Sequence, residues 1–179
     1  MKRLLFAVFF FAVSVMTFAQ GSIIKPVYDI AELEINDGDE VLTVFNMPEE
    51  GQNHYYLCLG TLGFGDDFVQ LNIDPVSQLF IPLGGTLEEA VAKMEELKAV
   101  AKQESGTVVE TVGTLAIGNP SMGEEETVYV TARRPLLRRL IEFSVKRNGY
   151  LRATHISKGE LGSLISTVKI YRKLHPKEK

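Results

Sequence analysis

"GGTLEEAVAKMEELKAVAK", residues 84–102, is where the hydrophobic period of this chain changes. Leu87, Val91, Met94, Leu97 and Ala101 recur at intervals of three and four, the spacing of one helix face. Thr86 and Glu89 stand three apart, so each side chain can bond the other's backbone N–H and close the first turn. Acids come early in the stretch and Lys98 and Lys102 late, as the helix dipole favours. The spacing predicts a helix over 87–102.

Upstream the period is two. "YDIAELEI" (28–35) and "EVLTVF" (40–45) flank Asp37-Gly38 and read as a hairpin. In "HYYLCLGT" (54–61), Tyr55, Leu57 and Leu59 share one face and His54, Tyr56 and Cys58 the other. "DFVQLNID" (67–74) alternates apolar and polar, and "QLFIPL" (78–83) is a short strand whose Pro82 suggests an edge or a strand end. After "QESG" the plan repeats. "TVVETVGTLAIG" (107–118) and "ETVYVTARR" (126–134) read as strands, followed by "LLRRLIEFSV" (136–145) and "YLRATHI" (150–156) around Asn148-Gly149. A second helical stripe then runs through Leu161, Leu164, Ile165, Val168, Tyr171 and Leu174, opened by Ser157 and Glu160 in capping-box spacing. The expected fold is α+β, mainly antiparallel sheet with two amphipathic helices, in a tandem ββββα arrangement. The first half covers 20–105 and the second 106–179, packed together as one domain.

For the last hairpin a three-residue loop at 148–150 is expected. It pairs Val145 with Ala153 and puts Phe143, Val145, Leu151 and Ala153 on the inner face. A two-residue loop would set Val145 opposite Arg152. The twin ββββα order resembles the PUR and Whirly class of single-strand nucleic-acid binders. The resemblance is one of element order, implies a fold only, and carries over no binding residue.

The N-terminus "MKRLLFAVFFFAVSVMTFAQ" has a basic start, an apolar run from Leu4 to about Val15, and small residues at Thr17 and Ala19. That pattern predicts a signal peptide over 1–19, a mature start at Gln20, and a periplasmic or extracellular destination. The apolar run is shorter than the roughly 20 residues that span a bilayer, so no membrane span is expected after cleavage. Cys58 is the only cysteine, so no intramolecular disulfide can form and the core must hold the domain.

Charge is divided along the chain. Residues 20–127 carry four lysines against twenty acids, whereas residues 128–179 carry thirteen Lys and Arg against three Glu. Such halves attract each other within one molecule or between two copies, or else the basic half forms a polyanion site. "ARRPLLRR" (132–139) holds four of the arginines. A polyanion site would use Arg133, Arg134, Arg138, Arg139, Lys146, Arg147 and Arg152 on the basic strands of 129–155, with Tyr129 and Tyr150 nearby. Export and overall acidity favour ion pairing with acids of 20–127 over nucleic-acid binding.

Catalytic patterns are weak. His54 and Cys58 are four residues apart on a strand, about 13 Å, too far to share a proton. His54, His155 and His175 have no zinc spacing, so neither a metal nor another cofactor is expected. Ser121 lacks a nucleophile elbow. The glycines of 60–67 and the acids of 36–40 and 65–67 read as turns before they read as phosphate or calcium loops. No catalytic residue is assigned. The function expected is non-catalytic binding or structural interaction with an unidentified protein or polymer partner. The alternatives are a polyanion-binding module and a hydrolase built on carboxylates the sequence does not single out.

Overall fold

The structure is a computed structural model and describes residues 27–35, 40–61, 63–64, 78–136, 138–147 and 149–176. The leader, the Asp37-Gly38 turn, the acids of 65–67 and the strand expected at 67–74 lie outside these residues. The strands are β1 (Tyr28–Ile35), β2 (Glu40–Asn46), β3 (Tyr55–Thr61), the two-residue β4 (Gly63–Phe64) and β5 (Gln78–Gly84). Helix α1 (Leu87–Val100) follows, then β6 (Val108–Ala116), β7 (Glu124–Arg133), β8 (Leu140–Arg147), β9 (Tyr150–Ser157) and helix α2 (Lys158–Leu174). All strands belong to one antiparallel sheet in the order β1-β2-β3-β5-β6-β7-β8-β9-β4. The fold is α+β, with four long strands and a helix in each half.

The sheet is curled. One residue separates β3 from β4, yet Gly63 pairs with Ala153 of β9. In a flat sheet β3 and β9 would stand five spacings, about 24 Å, apart. A link of two Cα–Cα steps plus one strand pairing spans only about 12 Å. The far end of the sheet therefore bends round until β9 meets the continuation of β3. Gly113 sits within this curve. A Cβ there would lie 2.6 Å from a Val128 methyl and 3.0 Å from both Leu79 and Ile81, so the bare backbone lets the strands close up.

Both helices fill the concave side. Leu87, Met94 and Leu97 of α1 and Leu161, Leu164, Ile165 and Val168 of α2 are buried with Leu57, Ile81, Val130, Ile141 and Phe143 of the sheet. Helix α2 touches β1 at one end of the sheet and β9 towards the other, so it spans the opening that the curl leaves. The two helices also exchange charge. Lys169 Nζ lies 2.8 Å from Glu95, and Arg172 lies 3.4 Å from Glu88. The Lys169 hydrogen bond, aided by Lys98, holds the Glu95 carboxyl below its ordinary value. This contact is therefore present above the usual carboxylate range and is lost as pH falls through the lowered Glu95 value.

Both capping boxes form. Glu89 N donates to Thr86 Oγ1 at 3.1 Å and Thr86 N to Glu89 Oε2 at 3.2 Å. In α2 the matching bonds are Glu160 N to Ser157 Oγ at 3.1 Å and Ser157 N to Glu160 Oε2 at 2.7 Å. Ser157→Ala leaves a helix-end N–H without its cap and is expected to lose about 0.5–2 kcal/mol in urea unfolding, whereas Ser157→Asp should retain most of it. No loss for Ser157→Ala would mean that the cap contributes nothing, and an equal loss for Ser157→Asp would mean that the capping oxygen is not what the alanine removes.

Three local expectations are corrected. First, the last hairpin has a two-residue connection. Arg147 pairs with Tyr150 and Val145 with Arg152. Gly149 takes φ 83°, the positive value that a tight Asn-Gly hairpin requires, and this turn fits the strand twist better than a longer loop. Its register sends Arg152 to the helix side, where it is buried, and leaves Leu151 half exposed on the outer face. Second, β8 begins at Leu140, not at 136. Pro135 and Leu136 turn the chain instead, Leu136 at φ 54°, so Arg138 and Arg139 lie in a connection and not on a strand. Third, β5 is internal and not an edge strand, although Pro82 does lie near the strand end, the other position its presence suggested. Its ladder to β6 covers only Gln78 to Phe80, so Pro82 sits where pairing continues with β3 alone.

Candidate functional site

Because β7 and β8 are antiparallel and joined at the Arg134–Arg139 turn, the basic residues that crowd the sequence are separated in space. Strand β8 runs seven steps from Leu140 to Arg147, about 24 Å. Arg133, Arg134, Arg138 and Arg139 lie at one end of it, and Lys146, Arg147 and Arg152 at the other. The seven do not form one surface.

Their partners differ as well. Arg133 holds Glu142 across β7 and β8 with a bidentate pair, Nε–Oε2 3.1 Å and Nη2–Oε1 2.8 Å, and Glu142 pushes the guanidinium value up. Arg134 Nη2 donates to the carbonyls of Lys102 and Gln103 at 2.9 and 2.6 Å, satisfying acceptors at the C-terminal end of α1. Arg147 meets Glu124 at 2.6 Å and Glu126 at 3.8 Å. Arg138, Arg139 and Lys146 are exposed and make no ion pair with the described residues. Among the described residues, ion pairs between the acidic and basic halves include those of Arg147 and, outside the cluster, of Lys169 and Arg172 on α2. Arg133 instead finds its acid within the second half, one strand away. The charge division announced this attraction, but only the packing of α2 on α1 selects Lys169 and Arg172.

A cavity of about 580 Å³ opens beside the start of β3, lined by Asn53, His54, Tyr56, Pro82, Gly85 and Glu89 among others. Several of its polar groups already have structural work. Glu89 Oε2 accepts from Gly85 N at 2.8 Å as well as closing the α1 cap. Asn46 donates to Asn53 Oδ1 at 2.9 Å and accepts from His54 N at 3.1 Å, tying the two strands at the cavity wall. A Cβ on Gly84, at φ 115°, would run into the Glu89 side chain at 2.7 Å. A smaller cavity of about 300 Å³ lies between Ile117, Met122, Glu124 and Arg147, and the Arg147–Glu124 pair crosses it. Among the described residues, no three His, Cys, Asp or Glu side chains converge as a metal cage would require.

Cys58 sits on the convex side of the sheet in a small cluster with Phe45, Met47, Phe80 and Ala116, and Tyr56 stacks on Phe45 at 5.6 Å. Burial pushes its thiol up, against a smaller downward pull from a backbone hydrogen bond at Gly60. Both inaccessibility and a low thiolate fraction oppose nucleophilic chemistry. Labelling of native protein with a disulfide reagent near neutral pH is expected to be slow and to accelerate in step with urea unfolding. Rapid stoichiometric labelling of the folded chain would contradict this placement.

The residue that sequence reasoning passed over is Leu136. It is 99% exposed in the left-handed region, where a leucine costs about 1–2 kcal/mol relative to ordinary backbone. Its signal was the proline before it inside an arginine run, which marks a turn more readily than a strand. No protein-family model, characterised protein or solved structure matches the chain, so the element-order likeness to PUR and Whirly proteins carries no argument about a ligand.

Proposed function

We propose that this is an exported protein of the cell envelope or exterior that acts by holding a partner, not by catalysis. The observation that carries the binding role is β1. It is the terminal strand of the sheet and pairs only with β2, leaving one line of backbone donors and acceptors without a strand neighbour among the described residues. Its exposed side chains Asp29, Glu32 and Glu34 are acidic. An extended segment bearing lysine or arginine could add to this edge, with main-chain bonds giving affinity and charge giving selection. The leader-like pattern of residues 1–19 supports export. Glu89, the carboxylate lining the larger cavity, closes a helix cap, which supports the non-catalytic reading.

One experiment addresses both halves. The chain is produced with its own residues 1–19 in a Gram-negative host and carries a photo-crosslinker at Glu32, or at Ser166 on the exposed side of α2 as control. The expected result is periplasmic protein starting at Gln20 that crosslinks a discrete partner from position 32 and not from 166. Protein retained in the cytoplasm with Met1 intact would reject export. Identical crosslinking from both positions would reject the edge.

A further inference from the structure

We propose that the turn joining β7 to β8 docks on an anionic lipid surface, with Leu136 entering the headgroup layer and Arg138 and Arg139 binding lipid phosphates. Leu136 is 99% exposed, in a backbone conformation that glycine or asparagine adopts more readily, so the described residues leave its side chain open to solvent. The turn is braced from behind. Arg138 N donates to Pro135 O at 3.0 Å, Lys158 N to Arg139 O at 3.0 Å, and Arg134 is anchored on the end of α1. The tip is therefore presented on a fixed support and is followed by two exposed arginines that make no ion pair among the described residues. Exposed Lys102 adds charge at the same end. Among the described acids near the turn, Glu142 is neutralised by Arg133 and Glu160 is held in the α2 cap, which leaves Glu104.

An apolar tip with a basic collar suits an interface that has both an acyl phase and surface phosphates. A nucleic acid or sulfated glycan would meet the arginines but offers an aliphatic side chain nothing. Lys146, Arg147 and Arg152, which could have extended a track for a polymer, stand at the other end of β8. The surface is separate from the β1 edge and does not depend on a partner binding there.

The chain contains no tryptophan, so Leu136→Trp in the full chain places a single reporter at the tip, distinct from any adsorption by the apolar N-terminal run. With vesicles of equimolar phosphatidylcholine and phosphatidylglycerol its emission is expected to shift to the blue and to be quenched by brominated lipid. Phosphatidylcholine vesicles, single-stranded DNA and heparin should leave it unchanged. Changing Arg138→Gln together with Arg139→Gln is expected to weaken vesicle affinity roughly thirtyfold, from the attraction of each basic side chain to an anionic surface. Leu136→Ser should weaken it roughly tenfold through the lost apolar insertion. Vesicle-bound protein with no blue shift, an equal shift on DNA or heparin, or unchanged affinity in either variant would overturn the proposal.

Discussion

Phe143→Ala is expected to lower the free energy of unfolding by about 3–5 kcal/mol, measured by urea titration. Phe143 is fully buried in the middle of β8, opposite Val130 on β7 and Thr154 on β9. It belongs to the cluster that joins the sheet to both helices. Neighbours on a curled sheet are held by ladders on both sides, so they cannot collapse freely into the space left, and the cavity adds its cost to the lost transfer free energy. Val112→Ala, on the outer face and 44% exposed, serves as the control and should fall within about 0.5 kcal/mol of wild type. A loss under about 1 kcal/mol at Phe143 would show that the inward face of β8 had been misassigned.

Leu164→Ala is the second large effect, about 2–4 kcal/mol, with Val168→Ala smaller because fewer carbons are removed. Both side chains are buried, on the stripe of α2 that faces the core. Ile170, two positions beyond Val168 and 58% exposed, should tolerate alanine with little change. Loss at Leu164 also loosens the helix that spans β1 and β9, so amide exchange in β1 is expected to rise further than in β6. Uniform exchange across both strands would mean that α2 does not hold the ends of the sheet.

The helices were legible because their signals are local. A 3.6 period in Leu87, Val91, Met94 and Leu97, and a capping pair three residues apart, contain their own geometry, and the hydrogen bonds of Thr86 with Glu89 and Ser157 with Glu160 form as the spacing implies. Alternation in 54–61 likewise sorted Tyr55, Leu57 and Leu59 into the main core and Tyr56 and Cys58 into the convex cluster. The register of β8 on β9 was misread because burial pattern and turn geometry disagree there. Placing Leu151 inside would have required a longer loop, and the tight turn prevailed at the cost of burying Arg152. The arginine cluster misled for a topological reason. Residues on the two arms of a hairpin are close in sequence at the turn and far apart at its other end, so 133–139 and 146–152 cannot act together. The curl of the sheet was beyond reading, since it depends on Gly63-Phe64 finding a partner in the last strand, a pairing that no local pattern announces.

That pairing also sets the order in which the molecule can form. Gly63 and Phe64 pair with Ala153 and Arg152, and among the described helices β1 packs mainly against Lys158–Leu174. Both contacts join the first-made part of the chain to the last. Loop-closure entropy is therefore met before these contacts contribute, and proteins dominated by such distant pairings fold in milliseconds to seconds instead of microseconds. A chain emerging from its N-terminus can lay down β1 to β5 and α1, but the apolar face of that sheet stays uncovered at its edge until α2 is complete. Loss of α2 should consequently leave a species that aggregates, not a smaller folded domain.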